Sequence, residues 1–363
     1  MLNEENALLW LASVSELTPR RKCELLERAG SAAELAELNA DKLVKLGVHE
    51  NTARQLYAVE PERVAAESLG KLYKKEIDFI SCNSEEYPKR LKQLNDYPIG
   101  LFKIGRFSDL ENYKTVGVVG SRRCTSYGAA TTLKIAGELA ARGIVVVSGM
   151  ADGIDSMAHK GALEAEGYTI AVLGCGVDIC YPSGNRELME RIKEKGCVIS
   201  EFPPATRPSK YTFPARNRII SGLSDIVAVM EAGSKSGTLI TVDHANDQGK
   251  DVMALPGNIS SRLSYGTNSL IKEGAGVITC TEDILNALGI ENNNYEKISE
   301  KNNIPLETNE KLVYDCIRMS IVTAEEIAVK IKMPLNEVQY NLTMLELKGC
   351  IAKLSGQRYM LLN

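Results

Sequence analysis

Paired cysteines at metal-ligand spacing are missing from this 363-residue chain: its nine cysteines stand at 23, 82, 124, 175, 180, 197, 280, 316 and 350, with no CxxC among them. Several lie inside apolar runs, so they read as buried free thiols of a reducing, cytoplasmic setting, not as disulfides or a zinc site. Histidine is scarce as well: His49, His159 and His244 are the only three, and none falls in a nucleophile–base motif. Asp155 and His159 stand at i, i+4, but no third ligand is near them, so no metal is expected. Long hydrophobic stretches are absent. The longest, GIVVVSGM and TIAVLGCGV, are far too short to cross a bilayer, so no membrane insertion is expected. The opening MLNEENALLWLASV has neither a basic n-region nor a cleavage site, and no signal peptide is expected. A net charge of −4 gives no global basic excess, so any polyanion site has to be a local patch. Neither a GxGxxG fingerprint nor a Walker A lysine occurs, and no cofactor is expected.

What is present is ordinary globular sequence, 44% hydrophobic and 25% charged, long enough for two or three domains. Residues 1–70 read as a small helical domain. Ser31 and Asn39 are expected N-caps, Gly30 and Gly47 expected stops, and KLGVHENTARQL resembles half of a helix-hairpin-helix unit. Residues 71–290 alternate strand-like runs (IDFIS, TVGVVG, IVVVSG, TIAVLG, CVISEF, IVAVM, VMALPG, GVITC) with helical ones. Continuous Val/Ile runs are buried on both faces, which predicts an α/β fold: a Rossmann-like, doubly wound, mainly parallel sheet covered by helices. The polar, Asn-rich residues 291–308 read as a linker. Residues 309–363 follow a winged-helix pattern of three helices and a hairpin. Thr323 and Glu326 form an expected capping box, and Pro334 opens the third helix.

The residues of chemical interest fall at the predicted strand ends. Gly120, Ser121, Arg122 and Arg123 form a glycine turn before a helix, a phosphate-binding arrangement without a nucleotide signature. Gly149 and Gly153 are expected to let the backbone approach a ligand, with Asp155 capping the next helix. From Phe202 to Ser224 there are four cations (Arg207, Lys210, Arg216, Arg218), no acid, and the aromatics Tyr211 and Phe213. The proline-rich part, 203–214, is expected to be irregular. Arg216, Asn217 and Arg218 are expected to begin a helix whose first turn projects donors into the cleft. Gly233, Lys235, Ser236, Gly237 and Thr238 form another anion nest. Cations interleaved with aromatics suit a flexible, stackable polyanion, single-stranded nucleic acid.

In this order GSRRCTSYG, SGMADGIDSMAH, EFPP, FPARNRIISGLSD and GSKSGT resemble the DNA-processing protein A family, also called DprA or Smf, over residues 75–290. The resemblance implies an extended Rossmann fold that binds single-stranded DNA without catalysis, forms a homodimer, and loads the RecA recombinase onto incoming DNA in natural transformation. It implies Ser121 and Arg122 in the turn after the first strand, Lys210 on phosphate, Phe213 on a base, and Asn217 with Arg218 as a donor pair. Where some relatives carry a lysine in the YPSGN loop, position 183 is Ser. The alternative is a nucleoside-monophosphate phosphoribohydrolase-like enzyme, whose turn reads PGGxGTxxE. Here GSKSGTLIT puts Thr241 in the place of the glutamate and Gly233 in that of the proline. A sequence-specific regulator is a third class. Residues 310–363 hold seven cations against six acids, and the would-be recognition helix has only Lys348, which fits protein contacts or autoregulation better.

Overall fold

Caps set the helices that open the chain. Asn3, Thr18, Ser31 and Asn39 each accept a backbone N–H three residues on, which satisfies donors that a helix start leaves orphaned. They begin α1 (Glu4–Ser13), α2 (Pro19–Ala29), α3 (Ala32–Ala36) and α4 (Ala40–Lys45); α5 (Glu50–Ala58) and α6 (Pro61–Lys74) follow. The structure, a computed structural model, describes residues 2–58, 60–107, 110–290, 307–319, 322–354 and 357–361.

The sheet contains β1 (Asp78–Ser81), β2 (Gly100–Gly105), β3 (Thr115–Gly120), β4 (Val145–Ser148), β5 (Thr169–Val172), β6 (Cys197–Ser200), β7 (Ile226–Glu231), β8 (Asp251–Ala254) and β9 (Gly276–Val277). Its spatial order is β1-β2-β6-β5-β4-β3-β7-β8-β9. Pairs from β6 through β9 are parallel; β2 runs antiparallel to both β1 and β6. The chain winds outward from β3 to β6, returns, and winds the other way from β7 to β9. The switch point therefore lies between β3 and β7. Strand residues alternate between two cores: in β7, Ile226, Ala228 and Met230 face one and Val227 and Val229 the other. The crossing helices are α7 (Ser126–Ala141), α8 (Ile154–Glu164), α9 (Arg186–Lys195), α10 (Thr212–Leu223), α11 (Thr238–Asp247), α12 (Tyr265–Lys272) and α13 (Thr281–Ala287).

Two expectations change here. Residues Met1–Glu291 form one compact unit, so the boundary at 70 is not a domain border and falls inside α6. The reason is α1, buried from Ala7 to Ala12. Its Leu8 joins the core under β3 and β7, and its Leu9 joins another core with β2 and β6. The predicted strands also had no counterpart of β2, whose Lys103 and flanking glycines break the apolar pattern.

Asn292–Asn363 is a second unit. Residues 291–306 of the expected linker lie outside the described residues, and α14 (Thr308–Met319) already begins at Thr308. Then come β10 (Val322–Thr323), α15 (Ala324–Ile331), α16 (Leu335–Leu347), β11 (Ile351–Leu354) and β12 (Arg358–Leu361), with sheet order β10-β12-β11. Thr323 and Glu326 form the expected reciprocal capping box. Val313, Ile327, Val338, Leu342 and Ile351 share its small core.

Candidate nucleic-acid interface

At the switch point the carboxyl ends of β3 and β7 are tied together: Ser121 N donates to Glu231 O at 2.8 Å. A cavity of about 300 Å³ opens there. The end of β3 and the turn after it contribute Gly120, Ser121 and Arg122; α10 contributes Phe213, Arg216 and Asn217; the start of α11 contributes Ser236, Gly237 and Thr238. These nine expected residues are thus gathered from three segments more than a hundred residues apart at the extremes. Val119, Ala151, Asp155, Ile220 and Thr241 are among the other lining residues. Arg123, Gly149, Gly153, Lys210, Arg218 and Lys235 do not line it.

At the mouth, the exposed Arg122 guanidinium lies 5.0 Å from the centroid of the Phe213 ring, a cation–π pair. Phe213 is half-buried and tilts against Tyr181 with ring centroids 5.6 Å apart. Gly174 makes room for it, since a Cβ there would come within 2.9 Å of the ring. Lys210 is exposed and sits 5.0 Å over Tyr211. Opposite, α11 starts without a side-chain cap on its backbone donors from Gly237. Ser236 Oγ donates to Thr238 Oγ1 at 2.9 Å and accepts Thr238 N at 3.2 Å. A helix N-terminus so arranged favours an anion.

The two arginines of FPARNRIISG depart from expectation. Helix α10 starts at Thr212, so Arg216 and Arg218 sit in its second turn, about 200° apart around the axis. Arg216 is buried, and Nη1 donates to Gly149 O at 2.7 Å and Val172 O at 2.5 Å, at the ends of β4 and β5. Burial lowers its pKa, partly offset by Asp155. Its Nε has no partner among the described residues. Arg218 faces away from the cavity at 2% exposure. Nη2 bridges both Glu201 oxygens at 2.7 and 2.6 Å, and Nε reaches Asp96 at 3.2 Å. It is therefore the cation of a buried ion cluster, not a donor to the cleft, because a buried charge needs partners. Asn217, between them, keeps a half-buried amide in the cavity.

The glycines are corrected too. A Cβ on Gly149 would lie 2.0 Å from the Arg216 guanidinium. Gly153 has φ +76°, and a Cβ would lie 2.3 Å from Ser121 O. Both make room for protein, not ligand. Asp155 is buried and accepts Ala151 N at 3.4 Å. It sits within the first turn of α8, whose cap is Gly153 without a side-chain bond, so Asp155 is not the cap. Its pKa is raised by burial against the pull of Arg216. His159 is fully buried, with Nδ1 2.8 Å from Thr169 Oγ1, and burial pushes its pKa down to about 3. Among the described residues no three His, Cys, Asp or Glu side chains are grouped to hold a metal.

Sequence reasoning missed Glu231 and Thr125. Buried Glu231 accepts from both Thr125 N and Thr125 Oγ1, while Thr125 Oγ1 accepts Gly128 N at 3.1 Å and caps α7. That pair fixes the turn carrying Arg122, and no local pattern announces a partner 106 residues away. Tyr181, which packs against Phe213, was not singled out either, although an aromatic in a glycine-bounded loop stands in the sequence.

Residues 78–289 match the family model of DNA recombination-mediator protein A, and residues 299–357 match the DprA winged helix domain. Protein Smf of Escherichia coli is 35% identical over 343 residues, 92% of this chain and 90% of that protein. DNA processing protein A of Streptococcus pneumoniae has a similar X-ray structure, with TM-score 0.68 and 35% identity over 77% of this chain and 97% of that one. DNA processing protein A of Helicobacter pylori, described for its single-stranded DNA binding mode, superposes with TM-score 0.54 and 33% identity. That match covers 59% of this chain and 95% of its own.

Proposed function

This chain belongs to the DNA recombination-mediator protein A family, also called DprA or Smf, and from that premise we propose that its larger unit binds single-stranded DNA at the switch-point cavity without catalysis. The observation that carries the reading is the Arg122 guanidinium over the Phe213 ring at the cavity mouth. One group suits a phosphate and the other a base, within one nucleotide's reach. The exposed cations Arg123, Arg207, Lys210 and Lys235 lie in the same turns and loops that lead into the lining segments, and the Helicobacter pylori relative is described as a single-stranded DNA binder. The buried Thr241 in the cavity, where the hydrolase pattern has glutamate, supports binding over glycosidic cleavage.

In the cell the protein acts, on this reading, as a cytoplasmic homodimer that protects incoming strands during natural transformation and loads RecA onto them. Fluorescence polarisation with oligo-dT and a duplex of equal length tests the core of it. Preference for the single strand is expected; preference for duplex, or no binding, overturns it. Release of free base from nucleoside monophosphates would restore the enzyme reading. Faster onset of RecA's DNA-dependent ATPase in the presence of the protein checks the loading role.

A further inference from the structure

Tyr181 lies outside the cavity lining, on the loop that follows β5. Its ring packs at a tilt against Phe213, with centroids 5.6 Å apart and planes at 36°, yet the residue remains 42% exposed. Arg122, Phe213 and Tyr181 therefore stand in series, 5.0 Å and 5.6 Å apart, leading from the cavity mouth onto this loop. The tyrosine hydroxyl has no hydrogen-bond partner among the described residues, so the ring is not held there for its polar end.

The loop is nonetheless pinned. Gly176 N donates to Thr206 O at 2.9 Å, and Ala205 N donates to Asp178 Oδ1 at 2.8 Å. Asn185 Nδ2 donates to Met150 O and Ser156 Oγ, both at 2.9 Å. A bare aromatic face on a loop fixed at both ends loses little freedom when a flat ligand covers it. Arg186, exposed at the start of α9, is a nearby cation whose charge acts on Cys180, the residue before Tyr181.

We propose that Tyr181 forms a second base subsite beside Phe213, taking the neighbouring nucleobase of the strand. This rests on the single-strand reading above and gives the strand a direction: out of the switch-point cavity toward the end of β5, away from β8 and β9. The subsite recognises any nucleobase, because every base has a π-face.

The test compares the wild type with Tyr181→Phe, Tyr181→Leu and Tyr181→Ala for oligo-dT affinity across a salt series, alongside melting curves. The Phe variant should bind within twofold of the wild type. Leu still shields Phe213 but cannot stack, so Leu and Ala should each weaken binding about tenfold with the salt slope unchanged. An oligomer carrying 5-iodouracil should photo-cross-link to the peptide containing Tyr181. Wild-type-like binding by the Leu or Ala variant, or no cross-link at Tyr181 in a formed complex, overturns the subsite while leaving the parent reading standing. Failure of the wild type to bind oligo-dT overturns both.

Discussion

Arg122 and Arg218 carry the same charge in two surroundings, and their variants should part accordingly. Arg122→Ala removes an exposed cation from the cavity mouth. It should weaken all single-stranded sequences alike and reduce the salt slope by about one, with the melting temperature unchanged. Arg218→Met strips the cation from Glu201 and Asp96 and should cost about 3–5 kcal/mol of stability. Affinity per folded molecule should stay the same. Urea unfolding beside oligo-dT titration separates the two, and a stable Arg218→Met protein with poor binding would refute the assignment. In sequence these arginines were indistinguishable. The stretch 202–224 has no acid, but Glu201 lies just before it and Asp96 comes from elsewhere in the fold. The position of Phe213 at a cleft was legible from its place among prolines and cations, and the ring does line the cavity. Lys22 offers a pH signature. Its Nζ donates to Ala12 O at 3.0 Å, and burial pulls its pKa from 10.5 to about 8 despite Glu201. Between these values the unfolded lysine holds a proton that the folded one has released. Stability should therefore rise across pH 8–10.5, by about 3 kcal/mol from this group. The buried thiols of Cys23 and Cys82, pushed up to about 12 and about 11, oppose the trend above pH 9. The quantity to measure is thus the wild-type stability minus that of Lys22→Met; a difference that stays flat from pH 7 to 11 would show that Lys22 titrates normally.

The elements that could be read from the sequence were those whose neighbours do not matter. Valine runs announced β3, β4 and β7, and Ser31, Asn39 and Thr323 announced their helices. The start of α10 was obscured because Pro214 suggested irregular backbone. Proline is tolerated in a first turn, where the N–H it lacks would have no intrahelical partner, and the helix begins at Thr212. Glycine roles were readable only in part: the sequence shows that space is needed, not what fills it. Helix α8 and the turn after β3 meet at Gly153, which gives that residue an effect on both stability and binding. Gly153→Ala places a Cβ at positive φ against the Ser121 carbonyl. It should cost about 2 kcal/mol or more and weaken single-strand binding by moving the Arg122 turn. Denaturant melts and oligo-dT titration check this; native values for both would mean that the contact relaxes freely.

Taken whole, the cavity lining runs from Val119 to Thr241 and belongs to the larger unit alone. A chain ending at residue 291 should fold and bind oligo-dT with nearly full affinity. Loss of binding by a folded truncation, judged by circular dichroism and gel shift, would move part of the site into the winged helix. The N-terminal helices allow no such excision, because their core is continuous with that of the sheet. The antiparallel strand β2 has a consequence for synthesis. Its partner β6 is distant in sequence, with Phe102 set opposite Ser200. At about 5–20 residues per second on the ribosome, β2 waits roughly 5–20 s for that partner to be made. Through that interval the side of β2 turned away from β1 keeps its backbone donors and acceptors unpaired. Translation speed between β2 and β6 thus sets how long that edge stays uncovered.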